Sequence, residues 1–262
     1  MEPAELGRAP QHRGLSVSVS MLVESPVSAG APIAAVGTVS LRDRPRVVPS
    51  TPPASTLLVR RVSDRTEMEQ LYGLRYRAYV EAMRRTYREI DPGRATIVDA
   101  LDDGQAIHLG AFAGTELRAV LRLNLGSRSD LGEYAGLYDV ANRAWGFPVP
   151  DEGIAIGSRF ALQPGHESPA LALKMALAAH WECLRNDVLR VFVQVEDHMV
   201  GFHQSLGFRK PDAAVPDVDG ATVMALDPFD RAALRAVRSP LVAQLDGWRE
   251  HSPIAVASHA FA

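Results

Sequence analysis

The chain predicts an α/β domain in which a mixed, mostly antiparallel central sheet is flanked by helices. Three observations carry this expectation. Two apolar runs, Ala106–Ala113 and Leu117–Leu125, meet at Gly114-Thr115 in the manner of a hairpin. Strand-like and helix-like segments then alternate from Ile154 to Leu226. All 17 aromatic residues lie beyond Leu57, whereas 8 of the 18 prolines precede it, so the core belongs to the later part of the chain.

Residues 1–56 are rich in Pro, Ser and Ala and lack a large apolar anchor. Such a segment buries too little surface to offset its ordering entropy, and a disordered leader is expected there. The globular domain is expected over 57–229, with a C-terminal helix and tail over 230–262.

Within the domain, Leu57–Val62 reads as a strand. Asp64 with Glu67 three residues later makes a capping-box-like helix start. Met68, Leu71, Tyr72, Arg75, Tyr79, Ala82 and Met83 then share one helical face. Arg75 therefore points inward, where a guanidinium requires a carboxylate. Asp99, Asp102 and Asp103 are the nearest in sequence. In the second hairpin strand Leu117, Ala119, Leu121, Leu123 and Leu125 take one face, while Arg118, Val120, Arg122 and Asn124 take the other. The connection over 126–152 holds Tyr134, Tyr138, Trp145 and Phe147, enough for either a binding lid or a local satellite core. Ile154–Leu162 is the next strand, and Ser168 caps a helix that has Pro169 in its first position and reaches about Leu184. Residues 190–208, RVFVQVEDHMVGFHQSLGF, give a strand, a polar hinge and a helix ending at Gly207. A last strand is expected over 221–226.

A net charge of -3 argues against a general nucleic-acid binder. No run approaches the roughly 20 apolar residues of a membrane span, and no signal-like segment opens the chain, so a cytoplasmic protein without membrane attachment is expected. The single Cys183 excludes an internal disulfide and reads as a buried thiol. No pair of histidines has helical metal-ligand spacing, and no metal is expected.

The strand, hinge and helix running into Gly207-Phe208 resemble the closing segment of the GNAT (GCN5-related) N-acyltransferases. A second likeness, to the acyl-homoserine-lactone synthases and related N-acyl amino acid synthases, rests on four pieces in order. These are Leu74-Arg75-Tyr76-Arg77-Ala78-Tyr79-Val80, Asp99-Ala100-Leu101-Asp102, Arg122, and Ser158-Arg159-Phe160. The likeness spans roughly Leu57 to Phe208. The synthases place a glutamate where this chain has Ile156, so the shared scaffold is better matched than a homoserine-lactone product.

The resemblance implies a GNAT fold with splayed central strands and no tightly bound cofactor. Acyl-CoA or an acyl-phosphopantetheine carrier would be the co-substrate, and the acceptor a small-molecule amine resembling an amino acid. Ala161, Leu162, Gly165, Ser168 and Ala170 would line the donor. The phosphate-loop positions read Glu167, Ser168, Pro169 and Ala170, where a glutamate repels phosphate and a proline removes an N–H donor. Such a loop suits the single phosphodiester of an acyl carrier protein, a candidate partner, better than a diphosphate. For the chemistry, backbone N–H groups around Phe160–Leu162 would meet the oxyanion and Glu196 would act as base. Asp99 and Asp102 are alternative bases or partners for the arginines. His203 stands where many relatives have a tyrosine that protonates the leaving thiolate. Arg75, Arg122, Ser158, Arg159, Phe160 and Trp145 would shape the acceptor pocket, with Arg159 suited to a carboxylate. An acetyl-CoA-dependent acetyltransferase and a catalytically silent thioester-binding module are the competing expectations.

Overall fold

Leu57–Arg61 forms β1. Asp64 caps the helix that follows by accepting from the Glu67 N–H at 2.8 Å, while the Glu67 carboxylate turns aside to Arg60. The computed structural model describes residues 57–102, 105–127, 134–145, 147–211 and 221–251. The expected leader, Asp103 and the extreme C-terminal tail lie outside them.

Helix α1 covers Arg65–Tyr76, and its continuation over Arg77–Ala82 widens into a π-helical turn. Two short strands, β2 (Ile90–Asp91) and β3 (Thr96–Ile97), form a small hairpin that the sequence pattern did not signal. The large hairpin is as expected. β4 (Ile107–Ala113) and β5 (Glu116–Leu125) turn at Gly114, whose φ of 64° suits a residue without a Cβ. There follow α2 (Tyr134–Arg143), β6 (Ile154–Leu162), α3 (Pro169–Arg185), β7 (Arg190–Val195), α4 (Asp197–Leu206) and β8 (Thr222–Leu226). Ser168 caps α3 through the Leu171 N–H at 3.1 Å, and Gly207 ends α4 in the left-handed region at φ 106°.

One expectation is corrected at the C-terminus. The single helix anticipated within 230–262 is two helices, α5 (Arg231–Ala236) and α6 (Leu241–His251). Arg238 adopts a φ of 55°, and Ser239 accepts from the Leu241 N–H, so Pro240 sits in the first turn of a new helix. The 126–152 connection holds α2 and a satellite core, with Tyr138, Trp145 and Phe192 buried together and the Tyr138 and Phe192 rings 5.3 Å apart.

The main sheet runs β1-β4-β5-β6-β7-β8, and only β6 and β7 are parallel neighbours within it. Helix α1 covers one face, packing Leu71, Leu74 and Tyr79 on Val120 and Ala161. Helix α3 covers the other, packing Leu171, Met175 and Cys183 on Leu123, Phe160 and Leu162.

A bulge in β6 decides what happens at the centre. Arg122 pairs with Ser158 and Val120 with Ala161, which leaves Arg159 and Phe160 together opposite Leu121. Arg159 takes a φ of 52°, and the Tyr79 hydroxyl donates to the Phe160 carbonyl at 2.7 Å. The extra residue reverses the alternation of side chains, so Ser158 faces the α1 side and Phe160 the α3 side. It also bends β6 away from β7. Their pairing runs from Ile154/Arg190 to Gly157/Val193 and no further among the described residues.

Candidate active site

On the α1 side of the opening, the chain gathers a buried ionic cluster. Arg75 is wholly buried and donates to both oxygens of Asp102 at 2.8 Å. Arg122 reaches Asp102 at 3.0 Å, makes a short contact with Asp99, and donates from Nε to Ser158 Oγ at 3.0 Å. Arg159 meets Asp99 at 2.6 Å and lies over the Tyr87 ring. The two carboxylates are held in turn by main chain. The Asp99 N–H donates to Asp102 and the Leu101 N–H to Asp99, each at 3.0 Å. The expected pairing of these aspartates with Arg75, Arg122 and Arg159 is thus observed.

The cluster opposes three buried guanidinium groups with two buried carboxylates, and Glu89 lies 3.9 Å from Arg159. Nε and Nη2 of Arg75 and Nη2 of Arg122 have no partner, nor does Asn124 Oδ1. Buried donors left unsatisfied are costly, and a surplus of them fits an anionic, acceptor-bearing ligand. Burial disfavours the ionised form of Asp102, yet Arg75 and Arg122 outweigh it and hold the carboxyl far below the ordinary range. Burial acts likewise on Asp99, and Arg122 and Arg159 overcome it. Both aspartates are therefore weak bases, which favours the structural of their two expected roles.

On the α3 side the opening leads into an apolar cavity of about 70 Å³. Leu121, Phe160, Ala176, Val193, Phe202 and Phe208 line it, and Leu226 and Leu241 stand at the β8 and α6 walls. His203 belongs to this lining. It is packed edge-on between Phe202 and Phe208, and its Nδ1 lies 3.1 Å from the Met199 carbonyl. That contact assigns the ring proton to Nδ1, so Nε2 is bare. Burial pushes the imidazole down to about 4. A neutral ring with a bare Nε2 accepts a proton but does not give one, so the expected protonation of a leaving thiolate is opposed by this geometry.

The remaining expected residues are placed as follows. Glu196 stands at the end of β7, in contact with Arg85, with His198 3.6 Å away. Ala161 and Leu162 continue β6 beyond the bulge. At the start of α3, Gly165 donates its N–H to the Glu167 carboxylate at 2.9 Å and Ser168 is occupied in capping, while Ala170 is exposed. The side chains of Arg118, His166 and Lys174 border a recess beside Ser168 and Ala170. Trp145 does not join the cluster. It is buried in the satellite core, and Arg190 and Arg209 stack on it at 5.2 and 4.8 Å. His108, Tyr87, Glu89 and Gln194 are site neighbours that sequence reasoning missed. His108 sits opposite Arg122 in the hairpin, a position readable only once the hairpin register is known.

His108 is neutral as well, because burial and the adjacent Arg75 charge bring it to about 4. Both histidines bind protons more readily in the unfolded chain. Their contribution to stability is whole above about pH 6.5 and declines toward pH 4, by up to about 1.4 kcal/mol per pH unit for each. Denaturant titrations at stepped pH are expected to show this slope, to which the buried His180 adds in the same direction, and His203→Phe to reduce it. A stability flat from pH 7 to 5 would contradict these placements.

A central sheet opened between two parallel strands, with helices on both faces, defines the GNAT fold. Within that class, the structure is similar to BjaI, a CoA-dependent acyl-homoserine lactone synthase. The two share 18% identity over 73% of this chain and 99% of that one, with a TM-score of 0.56. It is also similar to the AHL synthase LasI, at 15% identity over 70% of this chain and 96% of that one, with a TM-score of 0.52. FeeM, an N-acyl amino acid synthase from uncultured soil microbes, aligns at 19% identity over 76% and 96%, with a TM-score of 0.50. No protein-family model matches the chain, and no curated protein matches it. What is shared at these identities is the fold.

Proposed function

We propose that the chain is an N-acyltransferase that moves an acyl group from a phosphopantetheine thioester to the amine of an amino-acid-like small molecule. The observation that carries this reading is the opened β6–β7 gap, with an apolar cavity on one face and a guanidinium-rich cluster on the other. The acyl chain occupies the cavity, and the acceptor's carboxylate meets the unsatisfied guanidinium N–H groups. The β6–β7 pairing stops at Gly157 among the described residues, and in this reading main-chain N–H groups around Phe160–Leu162 meet the oxyanion of the tetrahedral intermediate. Glu196, through water, takes the proton from the attacking amine, the new C–N bond forms, and the C–S bond breaks to release a thiolate. Direct attack fits Cys183, whose burial pushes the thiol up to about 12 and leaves it unsuited to forming an acyl-enzyme.

The recess beside α3 favours a single phosphate over a diphosphate. Pro169 has no N–H, and the Gly165 N–H is already taken by Glu167, so Arg118 and Lys174 rather than a wrapped backbone supply the charge. An acyl carrier protein is therefore the donor in this reading, although BjaI is CoA-dependent. Thiol release is expected when the purified chain is given acyl-carrier thioester with amino acids, at a higher kcat/KM than with the matching acyl-CoA. The absence of release with every donor and amine would end the proposal.

A further inference from the structure

Gln194 is the one polar side chain within an otherwise apolar stretch of β7, VFVQV. It is 2% exposed, and neither Oε1 nor Nε2 has a partner. A buried amide with no hydrogen bonds is costly and rare in native interiors.

The strand register says what it faces. Phe192, two residues earlier, packs with Ile156 in the satellite core, and Glu196, two residues later, contacts Arg85 beyond α1. Strand alternation puts Gln194 on that same side of the sheet. Ile156 is level with Phe192, so continuing the parallel register brings Gln194 level with Ser158, which accepts from Arg122. Pairing has stopped by then. The amide thus lies across the opening from the Arg122 and Arg159 cluster. There the unsatisfied groups of Arg75 and Arg122 are all donors, and Gln194 adds both a donor and an acceptor.

We infer that Gln194 is a positioning and specificity residue for an α-amino acid acceptor: Oε1 accepts from the amine N–H, and Nε2 donates to the carboxylate. This rests on the acyl-transfer reading above. The amine and carboxylate of an α-amino acid stand on one carbon, close enough for a single planar amide to address both. Holding one N–H turns the nitrogen lone pair toward the thioester carbonyl in the gap. A decarboxylated amine leaves Nε2 and the guanidinium groups unpaired, so the site discriminates against it.

The test uses the full chain and the near-isosteric Gln194→Met. Thermal unfolding without ligand is expected at the same or a higher temperature, because an unpaired buried amide has been removed. With an octanoyl thioester donor and L-amino acids, the acceptor KM is expected to rise about tenfold or more and kcat to fall as well, while donor KM stays within about threefold. Preference for each amino acid over its decarboxylated amine should fall by a similar factor. Gln194→Glu, which keeps an oxygen but repels a carboxylate, should impair the amino acids and spare the amines. A wild-type acceptor KM in Gln194→Met, or a clear fall in its melting temperature, overturns the assignment. Should the wild type release no thiol, the acyl-transfer reading fails separately. L-amino acids would then still be expected to raise the melting temperature of the wild type and not of Gln194→Met, and equal shifts in both would sink the inference.

Discussion

Asp102→Ala is expected to cost about 3–5 kcal/mol of folding stability and to lower the melting temperature by roughly 10 °C. The Asp102 side chain is fully buried, two arginines converge on it at 2.8 and 3.0 Å, and the Asp99 N–H donates to it. Removing it leaves the desolvated Arg75 without its carboxylate and Arg122 with Asp99 alone. Asp102→Asn is expected to do nearly as much damage, since it keeps the shape and loses the charge. The combination Arg75→Met with Asp102→Leu removes the charges together and should recover a large part of the loss. Equilibrium denaturation measures all three. A cost under about 1 kcal/mol for Asp102→Ala would mean that the cluster behaves as a solvated surface network.

Glu196→Gln should leave the fold intact and reduce kcat by about 10²- to 10⁴-fold, the usual range for loss of a general base. Its side chain is partly exposed and contacts an arginine outside the buried cluster, so little stability depends on it. Acceptors whose amines are already neutral at the assay pH need a base only for the proton lost after attack, and the defect should shrink for them. A variant with unaltered kcat would move the base elsewhere and leave Glu196 as a partner for Arg85.

Much of this arrangement was legible in the sequence. The face shared by Leu71, Arg75 and Tyr79 required Arg75 to be inward, and Asp102 is the carboxylate it finds. Alternation along β5 put Arg122 and Asn124 opposite Leu121, Leu123 and Leu125, and the structure keeps them there, but an irregularity in the β4–β5 pairing turns Leu117 to the α1 side with Val120. What escaped detection was set by distant contacts. The π-helical turn and the β2–β3 hairpin are too short to imprint a period. Trp145 read as a pocket residue because its place depends on Arg190 and Phe192, about 45 residues away. Gln194 was overlooked although one amide among four valines and phenylalanines was the signal. Its meaning appears only when the β6–β7 register is known. His203 was correctly located in the closing helix, but its proton position depends on a helical carbonyl that no pattern displays.

The irregularity at Arg159 has an evolutionary corollary. By keeping Ser158 and Arg159 on one side of β6 and turning Phe160 to the other, it would let the two reactants of the proposed transfer be recognised by separate sets of residues that share only the main chain between them. In the proposed reading, changes among Phe202, Phe208 and Leu241 would retune acyl-chain length without disturbing Arg75 or Arg122, and the converse would hold as well. A lineage built on this scaffold can therefore exchange one half of its product while conserving the other.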